Sequence, residues 1–309
     1  SEMCIRDSCY LAPLLASYSL GKLPLKQSVN LIPPQAFVKV ISQKGLPDFD
    51  AFFLGFKEGR MGNQMLMQEL APIFHRHYFL YDMSLSTDTL RSARRGIRTH
   101  EQENLIELYH RHVVLNKAQN YHRLLEQIGI STNEGRKVFI FGSPYQFKEL
   151  CETAEHKIAL NNGSLALFGG GWKSFSGEMI ERDRLVQFIS DSLTLPPENI
   201  LEGYSMTEIS VLMLRCRHGR FHIPPLIEPV IFDDELNPLK GNDLKGIFGF
   251  MDPLARSYPG FVITGDYVHM VDGECPCGLT GPAVTEIKRA KNREVKGCGG
   301  IMSSLEIPV

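Results

Sequence analysis

Val138-Phe139-Ile140-Phe141-Gly142-Ser143-Pro144, echoed further on by Ser164-Leu165-Ala166-Leu167-Phe168-Gly169-Gly170-Gly171, decides the fold. Each is a short unbroken apolar run ended by turn residues, which is how a strand covered on both faces reads. Tyr145 to His156 and about Gly177 to Leu193 follow them with helical patterning. Strand, turn, helix, strand, turn, helix is the rhythm of an open α/β sheet that presents its turns to a ligand at the strand ends. Gly142-Ser143-Pro144 and Gly169-Gly170-Gly171 should therefore lie side by side at one sheet edge. Three glycines let backbone approach a flat ligand face, although an ordinary tight turn is the plainer reading of either stretch.

Upstream, residues from about Val29 to Phe56 read as short strands and turns, with Phe37 to Ile41 the clearest apolar run. Gly59 to His77 reads as a helix leading into a buried strand at Tyr78-Phe79-Leu80-Tyr81, and Glu101 to Ile128 carries apolar residues at helical spacing. His75, His77, His110, His112 and His122 invite a metal reading, but on a helix residues two apart point away from each other, so they are expected as partly exposed surface or groove residues. Downstream of Glu208 the helical pattern stops, and residues 211–285 read as a small β-rich subdomain of short strands in hairpins.

A chain of 309 residues, 43% hydrophobic and 22% charged, is long enough for a large core in one domain or two unequal ones. With 33 basic against 35 acidic residues there is no large net field, so charge suggests neither nucleic acid nor an anionic membrane as partner. The longest apolar runs fall short of the roughly 20 residues a membrane span needs. Seven irregularly spaced cysteines and no secretory signal favour a reducing, cytoplasmic setting over a disulfide framework.

Gly203-Tyr204-Ser205-Met206-Thr207-Glu208 is the most informative stretch for function. Tyr204 offers an aromatic lid, Thr207 a hydroxyl for a phosphate, and Glu208 a hard oxygen ligand for Mg²⁺. This run resembles the adenine- and Mg²⁺-binding motif of the adenylate-forming superfamily, and Gly169-Gly170-Gly171-Trp172-Lys173 resembles the acyl-protein synthetases within it. The resemblance implies an α/β adenylation core over residues 9–210, a β-rich subdomain over 211–285, a hinge and acyl-acceptor tail over 286–309, and no full mobile C-terminal domain. It also implies a Ser/Thr/Gly-rich phosphate loop upstream of the adenine motif. The nearest run, Ser174-Phe175-Ser176-Gly177, follows the glycine triplet instead, so the chain is expected to begin just after that loop. Residues 1–8 fit no element, resemble translated adapter sequence and are set aside as a leader.

By the same resemblance, Asp266 in Thr264-Gly265-Asp266 would hold the ribose hydroxyls, an acceptor-only group facing two donors. Arg289 would contact ribose or phosphates, and Lys291 would sit at the hinge. Cys298, between Gly297 and Gly299, matches the tail cysteine that acyl-protein synthetases acylate, and Lys291, Arg293 and Lys296 would lower its pKa; a free surface thiol is the bland alternative. Cys275-Pro276-Cys277, with Cys216 and His222 upstream, supplies four ligands of the kind tetrahedral Zn²⁺ accepts. His218 is the alternative fourth ligand, and two reduced cysteines in a hairpin the alternative reading.

These expectations converge on an ATP-dependent ligase. It would activate a fatty acid as acyl-adenylate with Mg²⁺, take the acyl group on Cys298, and pass it to a partner such as a fatty-acyl reductase. A phenylacetate-type acyl-CoA ligase, or a non-catalytic acyl- or nucleotide-binding module, are the alternatives.

Overall fold

The computed structural model describes residues 46–59, 67–68, 71–85, 99–170, 179–206, 209, 212–225, 227–253 and 261–290. These fall into two compact units that meet in sequence between Leu201 and Glu202.

The first unit is α/β. Its strands β1 (Leu46–Gly59), β2 (Phe74–Leu85), β3 (Lys137–Gly142) and β4 (Leu165–Gly169) run in the order β2-β1-β3-β4. Each neighbouring pair is parallel. Strands in this setting are buried on both faces, and Phe49 to Phe56 and Val138 to Phe141 accordingly show an unbroken buried run. One face carries Phe52, Leu54, Val138, Ile140, Ala166 and Phe168. Against it pack Tyr121, Leu124 and Ile128 of α2 (Lys117–Asn133), Phe147 and Leu150 of α3 (Pro144–Thr153), and Leu185, Ile189 and Leu193 of α4 (Arg182–Leu193). The other face is aromatic: Phe74 stacks on Phe139 at 5.1 Å and Phe53 on Phe79 at 5.1 Å.

β3 and β4 pair with Gly142 opposite Phe168, so Ser143 and Gly169 leave neighbouring strand ends, as the sequence rhythm predicts; the rest of the turn after Gly170 lies outside the described residues. Ser143 begins α3, its amide donating to Gln146 Oε1 at 2.9 Å, and Pro144 fills the first helical position, where its missing N–H is harmless.

Two upstream expectations change. The helix expected from Gly59 to His77 is cut at both ends: Gly59 closes β1, and after a helical pair at Met67-Gln68 and a short turn at Ala71–Ile73 the chain enters β2 at Phe74. Aromatic pairing across strands outweighs local helical spacing here, because Phe52 stacks on Tyr78 at 5.0 Å and Phe53 meets both Phe74 and Phe79. Secondly, the end of the expected group of short strands is a single 14-residue strand, β1; Phe37 to Ile41 lie outside the described residues. The stretch from Glu101 is helical as expected, in α1 (His100–Tyr109) and α2, joined by a wider π-helical turn at His110–Leu115. All five histidines are at least partly exposed, but His75 and His77 sit on a strand and share its face.

The second unit is antiparallel. β5 (Ile200–Tyr204) brings the chain into it and pairs with β6 (Met213–Leu214) through Gly203 and Tyr204. A five-stranded sheet follows in the order β7-β11-β10-β9-β8, from β7 (Phe221–His222), β8 (Glu228–Phe232), β9 (Asp243–Met251), β10 (Phe261–Glu274) and β11 (Thr280–Arg289). Hairpins replace helices here, as the loss of helical patterning predicts. Arg289 ends β11 opposite Asp266, so it lies in the sheet's ladder. No described helix is long and apolar enough to cross a membrane.

Candidate functional site

The second unit gathers Tyr204, Asp266 and Arg289 around one carboxylate. β10 loses register with β9 between Ile263 and Tyr267, a bulge that spans Thr264-Gly265-Asp266 and takes Asp266 out of the ladder with β9 while it stays paired with Arg289 of β11. Thr264 repairs the gap: its hydroxyl donates to the Phe248 carbonyl at 2.8 Å and accepts from the Asp266 amide at 3.1 Å. Gly265 leaves room for the arginine, since a Cβ there would stand 3.2 Å from Arg289 Nη1 and crowd the guanidinium. Arg289 Nη1 donates to Asp266 Oδ1 at 2.6 Å and the Tyr204 hydroxyl to Asp266 Oδ2 at 2.8 Å. The Asp266 side chain is 14% exposed and that of Arg289 45%. Among the described residues two of this carboxylate's about four acceptor positions are committed, and it is open to solvent donors.

Tyr204 is not free to swing. Its ring meets Phe221 edge-on at 5.9 Å and Phe248 at 6.4 Å. Arg215 extends this packing: its guanidinium lies 5.8 Å over the Phe221 ring and donates to Glu202 at 3.0 Å. Sequence reading missed Glu202, Arg215 and Phe221, because only the short β6 and β7 pairings bring them to Tyr204.

A second cluster lies in the same unit. Cys216, His222, Cys275 and Cys277 bring their ligand atoms within 4.8 Å of one another, with Cys216 Sγ 3.8 Å from Cys275 Sγ and Cys277 Sγ 3.3 Å from His222 Nε2. Zn²⁺ bonds of about 2.3 Å to sulfur and about 2.0 Å to nitrogen at tetrahedral angles put sulfurs about 3.8 Å apart and sulfur and nitrogen about 3.5 Å apart. The residues therefore fit a zinc ion in number, type and spacing. Burial, with Arg220 nearby, lowers the His222 pKa and keeps the imidazole in its neutral, ligating form. Burial raises the Cys275 thiol, but hydrogen bonds from the Cys277 amide and the neighbouring thiols outweigh it and bring its pKa below the usual value. Cys277 moves the other way, pushed up to about 11 by burial and the adjacent sulfurs, as expected where close thiols compete to hold one negative charge. His218 instead accepts from Arg217 at 3.1 Å.

In the first unit, Gly169 ends β4 and Gly170 follows it with φ +83°, a left-handed turn suited to glycine. Gly171, Thr207, Glu208, Lys291 and Cys298, among them the expected Mg²⁺ ligand and the expected acyl-acceptor thiol, lie outside the described residues.

The acyl-protein synthetase family, LuxE, matches residues 114–305. A long-chain-fatty-acid–luciferin-component ligase of Vibrio harveyi is 30% identical over 176 residues, 55% of this chain and 45% of that protein. One of Aliivibrio fischeri is 24% identical over 209 residues, 65% of this chain and 55% of that protein. The chain thus spans about half the length of these two relatives. The solved structure of a long-chain-fatty-acid-CoA ligase from Archaeoglobus fulgidus is similar over 82% of this chain and 47% of that one, at 12% identity and a TM-score of 0.44. With more than half of its residues matched by one family, the chain belongs to the acyl-protein synthetases.

Proposed function

We propose that the chain is part of an ATP-dependent ligase that activates a fatty acid and passes it on through a cysteine of its own. The observation that carries this reading is the carboxylate of Asp266, presented by a bulge and oriented by Tyr204 and Arg289 inside the family-matched region. Its uncommitted acceptor positions suit the two hydroxyls of a ribose. Arg289, exposed beside it, is suited to nucleotide oxygens. Mg²⁺, held by Glu208, would neutralise the phosphates.

The fatty carboxylate oxygen attacks the α-phosphorus, the bond to the β-phosphate oxygen breaks, and pyrophosphate leaves. The Cys298 thiolate then attacks the acyl carbonyl carbon, the bond to the adenylate oxygen breaks, and AMP leaves with that oxygen. The acyl group is handed to a nucleophile of a protein partner, a fatty-acyl reductase, in the cytoplasm: the new bond to the acyl carbon forms, the Cys298 sulfur–carbon bond breaks, and the free thiolate returns. The three thiols and the imidazole of the second cluster support Zn²⁺ as a structural metal.

Intact-mass spectrometry tests this. The chain, alone and joined to the upstream segment of its Vibrio harveyi relative, is incubated with ATP, Mg²⁺ and mixed fatty acids. The expected result is a hydroxylamine-labile acyl adduct that is absent from Cys298→Ser. Pyrophosphate release without an adduct would assign the acceptor to a diffusible thiol, and neither signal from the joined protein would leave only a binding module.

A further inference from the structure

We propose that the metal cluster is a clasp that seats Tyr204 against Asp266, so that the geometry of the candidate nucleotide site depends on metal occupancy. The inference rests on the zinc and nucleotide readings above.

β6 and β7 are two residues each, too short to hold their place by ladder hydrogen bonds alone. Yet they form the bridge between Tyr204 and the sheet that carries Asp266. Tyr204 pairs with Met213 of β6, Arg215 bridges to Phe221 of β7, and Phe221 and His222 pair with Val284 and Ala283 of β11. The four ligands flank this weak link. Cys216 and His222 bracket the turn that joins β6 to β7, while Cys275 and Cys277 lie in the turn that joins β10 to β11.

Both turns are closed by backbone hydrogen bonds that aim the sulfurs: Cys216 N to Arg220 O at 2.8 Å in one, Cys275 N to Leu279 O at 2.9 Å in the other. A single ion bonded to all four side chains ties one turn to the other across 59 residues of chain. The mechanical link to the site is short. His222 is a ligand, its neighbour Phe221 presses edge-on against the Tyr204 ring, and the Tyr204 hydroxyl holds Asp266. Releasing the ion frees the turn, Phe221 loses its anchored backbone, and Tyr204 loses the wall that aims its hydroxyl.

The test begins with metal content. The purified chain should carry one zinc per molecule by elemental mass spectrometry, and Co²⁺ in its place should show sulfur-to-cobalt charge-transfer bands and tetrahedral d–d bands. Amide hydrogen exchange is then followed at Tyr204, Met213, Phe221 and Asp266, with and without a chelator. Removing the metal should speed exchange at these amides by about tenfold or more, and adding Zn²⁺ should restore the slow rate. Phe221→Ala should loosen Tyr204 while leaving the metal in place, whereas Cys277→Ser should do so by losing the metal. Absence of bound metal, or a Cys216–Cys275 disulfide in its place, overturns the clasp. So does a metal whose removal leaves exchange unchanged. If exchange responds but the metal-replete chain binds no ATP analogue, the clasp stands and the nucleotide reading of Asp266 falls.

Discussion

Asp50 and Asp266 are both aspartates set into apolar strands and gripped on both carboxylate oxygens, but their surroundings give them opposite uses. Asp50 lies on β1, paired on both sides in the first unit, and its side chain has no solvent exposure. Arg76 donates to Oδ2 through Nε at 3.0 Å and Nη2 at 2.6 Å, Ser131 to the same oxygen at 2.8 Å, and Arg136 to Oδ1 at 2.8 Å. His75 Nδ1 lies 3.3 Å from Oδ1, and Arg76 also reaches Glu134. Asp266 has two side-chain partners among the described residues, a bulge against β9 instead of a regular ladder there, and access to solvent. A carboxylate whose acceptor positions are filled in a dry setting fixes the fold. One with positions to spare at the surface can take a ligand.

The largest expected effect tests the first half of that contrast. Asp50→Ala leaves two guanidiniums facing a buried site without their carboxylate, and breaking such a pair costs about 3–5 kcal/mol. Chemical denaturation should show a loss of about 3 kcal/mol or more. A loss under about 1 kcal/mol would mean that water enters the site and that Asp50 is no anchor.

The same residue sets a pH dependence of stability. Burial raises the Asp50 pKa, but hydrogen bonds from Arg76, Ser131 and Arg136 outweigh it and lower it from 3.8 to about 2. Because the folded value is the lower one, the stabilisation is fully present above the unfolded value near pH 4 and is lost as pH falls through about 2. A shift of this size corresponds to about 2 kcal/mol. Stability measured between those two pH values should fall less steeply in Asp50→Asn than in the parent chain.

Much of this was legible in the sequence, and the rest was not, for physical reasons. The β3 and β4 runs announced themselves because a strand covered on both faces needs every residue apolar. Asp266 and the thiols of Cys275 and Cys277 stood out as chemistry-bearing residues on turn-like stretches. β2 was misread from Phe74 to His77 because its pairing with β1 depends on aromatic contacts to Phe52 and Phe53, more than twenty residues away. Asp50 left one clue, an acid inside Phe49-Asp50-Ala51-Phe52-Phe53, but its partners Arg76, Ser131 and Arg136 are 26, 81 and 86 residues distant. Phe221 left none: its importance arises only when the β6–β7 turn folds it onto Tyr204.

A smaller effect on stability, but a larger one on binding, is expected at Asp266. Asp266→Asn removes a charge that is partly solvated and paired with an arginine 45% exposed, so the fold should lose about 1 kcal/mol or less. An ATP analogue should nevertheless bind about tenfold or more weakly by calorimetry, since the amide offers the ribose one acceptor where the carboxylate offers two. Equal affinity in the two proteins would remove Asp266 from the site.

The finest comparison uses two bonds of the same length. Ser131 donates its hydroxyl to Asp50 Oδ2 at 2.8 Å, and Tyr204 donates its hydroxyl to Asp266 Oδ2 at 2.8 Å. Distance gives them equal strength, whereas their settings do not. At Ser131, itself fully buried, Ser131→Ala leaves a carboxylate oxygen short of a donor where water has no entry, which costs about 1–3 kcal/mol. At Tyr204, Tyr204→Phe keeps the ring against Phe221 and Phe248, and a water molecule can take the place of the lost hydroxyl. That change should be about 1 kcal/mol or less in stability, with nucleotide affinity lowered only a few-fold because Asp266 keeps its charge and its Arg289 partner. The two variants should therefore separate in denaturation midpoint. If they lose stability equally, solvent access does not distinguish the two aspartates, and the bulge at Thr264-Gly265-Asp266 would have to be read as structural like β1.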